Sequence, residues 1–196
     1  MLGMDGWRAS FSRAVGFREY LVLEVAADVV NARHSATSGP FGEAWEEISE
    51  VHLPDIARVR PGYQEVASRY LNTGHRGFVT CDAIGVASMG WIYLNDTSRV
   101  VRVKGYFPVR PSEVYFHGDW TRPNARGRGL HLGGIYMRLQ SARQSGDFGR
   151  AVANFEPDAD SSVRNYKKLG FEYSGRSWSL GRGRTVFSSR KDGVDK

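Results

Sequence analysis

The hydrophobic positions of this chain change period midway. From Gly77 to Asp119 the pattern is strand-like. Gly77–Thr80 and Val86–Leu94 are rich in β-formers and flank the turn residues Asp82–Gly85. Val100–Phe107 and Val114–Asp119 supply two further strands. A helical period follows. Across Leu130–Ser145 the apolar side chains Leu132, Ile135, Tyr136, Leu139 and Ala142 fall on one face, and Gly146 offers a C-terminal stop. Ala151–Phe155 reads as a short buried strand. Ser161–Leu169 reads as a helix that Asp158, Asp160 or Ser161 can cap and Gly170 can end. Phe171–Ser179 and Arg184–Ser188 predict a closing hairpin across Gly181–Gly183. Upstream, Gly62–Asn72 is helical in pattern, with Pro61 near its start, Val66 and Tyr70 four apart, and Gly74 after it. An antiparallel meander thus runs into a strand–helix–strand–helix–strand series. The expected class is α/β, with a mostly antiparallel twisted sheet flanked by helices.

The Ser-, Gly- and Pro-rich stretch Ser35–Gly42 reads as a loop. It divides residues 1–40, an N-terminal extension with a first strand or helix, from residues 41–196, the main domain, and the two are expected to form one continuous domain. Met1–Arg13 contains no apolar leader core. The apolar run Tyr20–Val30 spans eleven residues and contains Glu24 and Asp28, too short and too charged to cross a bilayer. With one cysteine, Cys81, there is no internal disulfide to build, and a cytoplasmic location is the default expectation.

Composition adds little except charge. At 196 residues with 41% hydrophobic and 24% charged side chains, the chain can bury an ordinary core. Its formal net charge of +6 suits anionic partners of several kinds: nucleic acid, an acidic carrier protein or a phosphorylated cofactor.

The segment Asp119–Leu130 narrows the choice. A strand ends, Pro123 turns the chain, and Arg126-Gly127-Arg128-Gly129 leads directly into the amphipathic helix. Glycines there let backbone N–H groups converge on a ligand, and a helix start favours an anion. Arg126 and Arg128 add full charges. These are the requirements of a diphosphate. A plain turn is the competing reading. Gly127, Gly129 and Gly133 also approximate a dinucleotide fingerprint, but too little chain follows for further βα units. A Walker loop is excluded, since no Gly-Lys-Ser/Thr follows.

The run Thr121–Leu130 resembles the central motif of GNAT acyltransferases, Q/R-x-x-G-x-G/A, with its glycines at Gly127 and Gly129 and with Asn124 at the first position. Ser162-Val-Arg-Asn-Tyr-Lys-Lys-Leu-Gly-Phe171 is similar to the second signature of that superfamily, A-x-x-x-Y-x-K-x-G-F. Ala159 stands where the family usually has Asn. The resemblance covers about Gly77–Ser189. It implies the GNAT fold and an N-acyltransferase that moves an acyl group from acetyl-CoA or another acyl-CoA to an amine by direct attack in a ternary complex. It also implies that Trp120 and Thr121 hold the pantetheine arm and acyl carbonyl, that Arg126, Gly127, Arg128, Gly129 and Leu130 cradle the pyrophosphate, and that Tyr166 protonates the leaving thiolate. A Tyr packed on the inner face of its helix is the alternative for Tyr166.

Tyr115, His117 and Asp119 alternate along the preceding strand and share one face if pairing is regular. His117, with a pKa near neutrality, and Asp119, through a water relay, are both candidates for the general base, and both are equally at home in structural hydrogen bonds. His34, His52, His75 and His131 show no metal-ligand spacing, so no metal is expected. Cys81 reads as a buried structural thiol. Trp91, Tyr93, Tyr106, Phe107 and Trp178 either line an apolar wall or belong to the core. The acceptor, a small-molecule or peptide amine, stays open, as do an acyl carrier protein as donor, a homodimer and a non-catalytic acyl-CoA sensor. A basic nucleic-acid-binding module is disfavoured, because the arginines are dispersed and no aromatic–basic sheet pattern is visible. A membrane partner is not expected.

Overall fold

The computed structural model describes residues 17–29, 44–104, 107–146, 148–180 and 184–189. Among the described residues the elements follow in the order β1 (Phe17–Ala26), β2 (Glu46–Glu47), α1 (Leu53–Val59), α2 (Gln64–Asn72), β3 (Arg76–Asp82), β4 (Gly85–Leu94), β5 (Val101–Val103), β6 (Phe107–Val109), β7 (Glu113–Thr121), α3 (Leu130–Gln144), β8 (Arg150–Phe155), α4 (Asp160–Lys168), β9 (Glu172–Leu180) and β10 (Arg184–Ser188). Eight strands form one mixed sheet in the order β10-β9-β1-β8-β7-β4-β3-β2. Its pairings are antiparallel except β7–β8, which are parallel and joined through α3. The α/β class read from the sequence is the observed one. β1 lies between β8 and β9, so the described part of the N-terminal segment belongs to the sheet itself.

Two cores form on opposite faces of the sheet. Helices α3 and α4 cover one face, where Phe116, Ile135, Leu139, Ala153, Tyr166 and Phe171 are buried together. Helices α1 and α2 cover the other through Leu53, Ile56, Ala67, Met89 and Trp91. The β5–β6 hairpin closes that second face further along, packing Val103 and Phe107 on Tyr115 and Val152.

Four local expectations change. Val100–Phe107 is not one strand: β5 and β6 form their own two-stranded ladder, and the chain turns after Val103, with Lys104 at φ 53°. No Asp or Ser side chain caps α4; its N-cap is Ala159. Cys81 is exposed rather than buried, because the β3–β4 register shifts between Thr80 and Cys81 near the sheet edge. Helix α1 was not anticipated, since Pro54 and Asp55 mask its short apolar pattern. The Ser35–Gly42 loop, Tyr106 and the Gly181–Gly183 turn lie outside the described residues. Among the described residues no helix is long and apolar enough to cross a membrane.

Candidate active site

Strand β7 outruns its parallel partner. Its register with β8 runs from Glu113–Arg150 to Phe116–Ala153 and stops, while β7 continues to Thr121. Residues 117–121 therefore border an opening between two neighbouring strands. On its other side β7 stays paired with β4, but Trp91 opposes His117 and Met89 opposes Trp120, so Gly90 faces both Gly118 and Asp119. That is a β-bulge, which rotates the strand by one residue and breaks the alternation. Gly118 carries it with φ +67°, and a Cβ there would meet the Trp91 ring at 2.9 Å.

The bulge corrects the expectation that Tyr115, His117 and Asp119 share a face. Tyr115 and His117 do, with their rings stacked at 5.1 Å on the α2 side. Asp119 is turned to the opposite side, against α3 and α4.

On the α3/α4 side a cleft of about 620 Å³ runs along the end of β7 to the start of α3. It is lined by Asp119, Trp120, Thr121, Ala125, Arg126, Gly127, Gly129, Leu130, His131 and, from α4, Ser161, Ser162, Asn165 and Lys168. Gly127 and Gly129 both have φ +80°, a conformation that L side chains rarely adopt, and a Cβ at either would meet no protein atom within 4 Å. The glycines are thus set by backbone conformation, and the space beside them is open. Gly129 is the N-cap of α3 and has no side chain to satisfy the first N–H groups of that helix. The cleft brings together Trp120, Thr121, Arg126, Gly127, Gly129 and Leu130. The Arg128 guanidinium instead pairs with Asp82 at 3.0 Å, beside the bidentate Arg122–Asp82 bond. Asn124 accepts from Arg122 Nε at 2.7 Å, which fixes the same turn.

Beneath this cleft lies a buried charge cluster. Arg138, 1% exposed, pairs with Asp119 Oδ1 at 2.5 Å and donates to the carbonyls of Gly134 and Trp91. Tyr166, with no exposed surface, donates its hydroxyl proton to Asp119 Oδ2 at 2.7 Å. His131 Nε2 stands 3.2 Å from the same oxygen, and Asn165 bonds the other ring nitrogen. Burial alone would raise the pKa of Asp119, but Arg138, His131 and Tyr166 together hold it well below the ordinary carboxylate range. Burial pushes the Tyr166 phenol well above its ordinary value. Asp119 is therefore ionised, bound to both Arg138 and Tyr166.

On the α2 side, His117 is 4% exposed and its Nε2 lies 2.8 Å from His75 Nδ1. Desolvation, with Lys104 nearby, pulls His75 down to about 4 and His117 well below its usual value, so both rings are neutral at pH 7. His117 Nδ1 is buried without a hydrogen-bond partner. Tyr70 stacks on His75 at 4.8 Å. A second cleft, of about 700 Å³, opens here between α2 and the β5–β6 hairpin, and His75 and Tyr93 both line it. Trp91 and Phe107, read as wall or core, are fully buried core. Sequence reasoning missed His75, His131, Arg138 and Asn165. Arg138 carried the one available signal, a charged residue in the middle of the apolar stripe of its helix.

No protein-family model matches the sequence. No curated protein matches it either. Solved structures do. A GCN5-related N-acetyltransferase from Kribbella flavida superposes with TM-score 0.57 at 15% identity, over 90% of this chain and 63% of that one. The aminoglycoside N-acetyltransferase AAC(6')-Iy, solved with CoA, gives 0.52 at 16% identity, over 76% of this chain and all of that one. A ribosomal-protein-alanine N-acetyltransferase from Brucella melitensis gives 0.53 at 16% identity, over 66% and 84%. Of three further similar structures the chain spans 67%, 56% and 66% of the length. The fold is that of the GNAT acetyltransferases.

Proposed function

We propose that this protein is an N-acyltransferase that moves an acetyl or other acyl group from acyl-CoA to an amine. The carrying observation is the convergence of two features on one cleft: the side-chain-free start of α3 at Gly127 and Gly129, and the end of β7 that has left β8. The first suits a pyrophosphate, because helix N–H groups and Arg126 face an anion with no Cβ in the way. The second suits a pantetheine amide arm, because Trp120 and Thr121 border the opening between β7 and β8. Lys168 of α4, in the same lining, suits a further phosphate.

In this reading the amine attacks the thioester carbonyl, the C–N bond forms, and the C–S bond breaks. Most of the acceleration comes from holding donor and acceptor at attack distance. The amine must lose a proton, and His117, neutral and bordering the opening, is the base that fits; Asp119 is held by Arg138. The thiolate must gain one, and Tyr166 is the donor that fits, its hydroxyl oriented by Asp119 until the thiolate forms.

Isothermal titration with acetyl-CoA and free-thiol release across an amine panel test the reading. Gly129→Val should weaken acetyl-CoA by at least about 100-fold, roughly 2.7 kcal/mol, without loss of the thermal transition. Unchanged affinity in the folded variant would dismiss the cradle.

A further inference from the structure

The cleft between α2 and the β5–β6 hairpin has a chemistry of its own. It is lined by Val66, Arg69, Tyr70, Thr73, His75, Tyr93 and, from β5 and the residue after it, Val101–Lys104. Three of these, Arg69, Arg102 and Lys104, are cations, and none is acidic. No carboxylate pairs with any of the three among the described residues; the fields of Asp96 and Asp119 reach Tyr93 and Lys104, but Asp119 is committed to Arg138. Arg60 extends the positive field toward Lys104 and Tyr70, and its Nη1 is buried without a hydrogen-bond partner while its guanidinium lies 3.9 Å over the Tyr63 ring. Lys104 Nζ sits 5.9 Å over Tyr115. Like charges left together without counter-ions raise one another's energy, and an anion entering the cleft relieves that cost. The tyrosines Tyr70 and Tyr93 supply flat walls beside the charges.

His75 lines the same cleft, and its ring meets His117, one residue past the point where β7 leaves β8. A ligand bound by its anion at Arg69, Arg102 and Lys104 would extend its other end toward His75.

We propose that the acceptor is an amine that also carries an anionic group, a carboxylate or a phosphate, and that this cleft binds it, with Arg69, Arg102 and Lys104 on the anion and His75 at the amine. The inference rests on the acyltransfer reading for the amine and on the cleft itself for the anion. In the transfer, the amine N–H proton passes to the His75–His117 pair as the C–N bond forms and the electrons of the C–S bond leave with sulfur, which takes its proton from Tyr166. A polycationic acceptor of the aminoglycoside kind is unsuited to this lining, although such acetyltransferases share the fold.

The test uses matched pairs: amino acids against their carboxamides, and aminoalkyl phosphates against the parent amino alcohols, with spermidine as the cation. Each is read by thiol release from acetyl-CoA and, without donor, by the shift in thermal midpoint. The anionic partner should lead its pair by at least about tenfold in kcat/KM, the scale of one charge-assisted hydrogen bond, and should alone raise the midpoint. The exposed double reversal Arg69→Glu, Arg102→Glu should erase that lead while acetyl-CoA affinity stays unchanged. The carboxylate and phosphate arms tell the two anions apart. Preference for neutral amines or spermidine, or a lead that survives the reversal, overturns the proposal and leaves acyltransfer standing. An anion-dependent midpoint shift abolished by the reversal, with no amine acetylated, upholds the anion site and removes the acyltransfer reading.

Discussion

The two clefts that flank β7 are built from different materials. The cleft proposed for the donor is made largely of backbone: positive-φ glycines, a helix start and a strand that has left β8, contributed by the continuous stretch Asp119–His131 plus one face of α4. The cleft proposed for the acceptor is made of side chains from separate places: α2, His75, Tyr93 of β4, and β5 with Lys104 after it. Backbone recognition suits a partner that is the same in every reaction of this kind, because main-chain N–H groups are positioned by the fold and not by residue choice. Side-chain recognition suits a partner that differs from protein to protein. In the proposed transfer the fold would carry the donor half, and the acceptor would be set by residues the fold leaves free.

Each side also has its own buried titrating cluster, and acid should take them apart in different windows. His75 is held at about 4 against 6.5 unfolded, so the unfolded chain binds the extra proton between those values. Its contribution is complete above pH 6.5 and lost as pH falls toward 4, on the order of 3 kcal/mol. Asp119 is held below its ordinary value, so its contribution is complete above about pH 4 and lost only below it. Urea unfolding across pH 3–8 should therefore show two phases of acid destabilisation. His75→Gln should shrink the upper phase, leaving the share that buried His117 contributes, and spare the lower. An upper phase of unchanged slope in that variant would place the titration elsewhere and dissolve the contrast between the two sides.

Chemistry should be more sensitive than binding on the donor side. Tyr166→Phe removes one hydroxyl from a fully buried ring and keeps its contacts with Phe116, Phe155 and Phe171. If Tyr166 protonates sulfur, kcat falls by about 100-fold with acetyl-CoA affinity little changed. If the hydroxyl serves only the bond to Asp119, stability drops by roughly 1 kcal/mol and turnover under chemistry-limited conditions is retained. Stopped-flow single turnover with thermal melts on the same variant separates these outcomes.

The same contrast explains what the sequence made legible. Helix and strand periods placed α3, α4, β3, β4, β8 and β9 to within a residue or two, because one face of each is buried on a continuous core. The glycine loop was legible because its requirements are local: Gly127 and Gly129 adopt backbone angles that their residue type announces. The bulge at Gly118 was not. One extra residue in β7 turned Asp119 from the side of His117 to the side of Arg138, and alternation has no means of registering an insertion whose partner, Gly90, lies in another strand. The His75–His117 contact joins positions 42 residues apart that share no motif. The cations of the second cleft were visible only as a net charge of +6, without a place.

The smallest effect divides two arginines that look equivalent in sequence. Arg126 and Arg128 flank the same glycine, and the motif suggests both for the pyrophosphate. Arg126 lines the donor cleft, its Nε 3.4 Å from the Thr121 carbonyl, and no carboxylate binds it among the described residues. Arg128 is bound to Asp82, which also accepts two bonds from Arg122. An arginine already tied to a carboxylate gives less to a phosphate, because the new contact must be exchanged for the old one. Arg126→Ala should weaken acetyl-CoA by about fivefold to tenfold, near 1 kcal/mol, as expected for one partly exposed charge on a phosphate, and the loss should shrink at high salt. Arg128→Ala should change affinity less than about twofold, since Asp82 keeps Arg122 and the loop keeps its turn. Titration calorimetry of both variants at low and high ionic strength reads the difference. Equal losses would mean that Arg128 leaves Asp82 when the donor binds, and that side chains from β3 set the donor cleft as much as its backbone does.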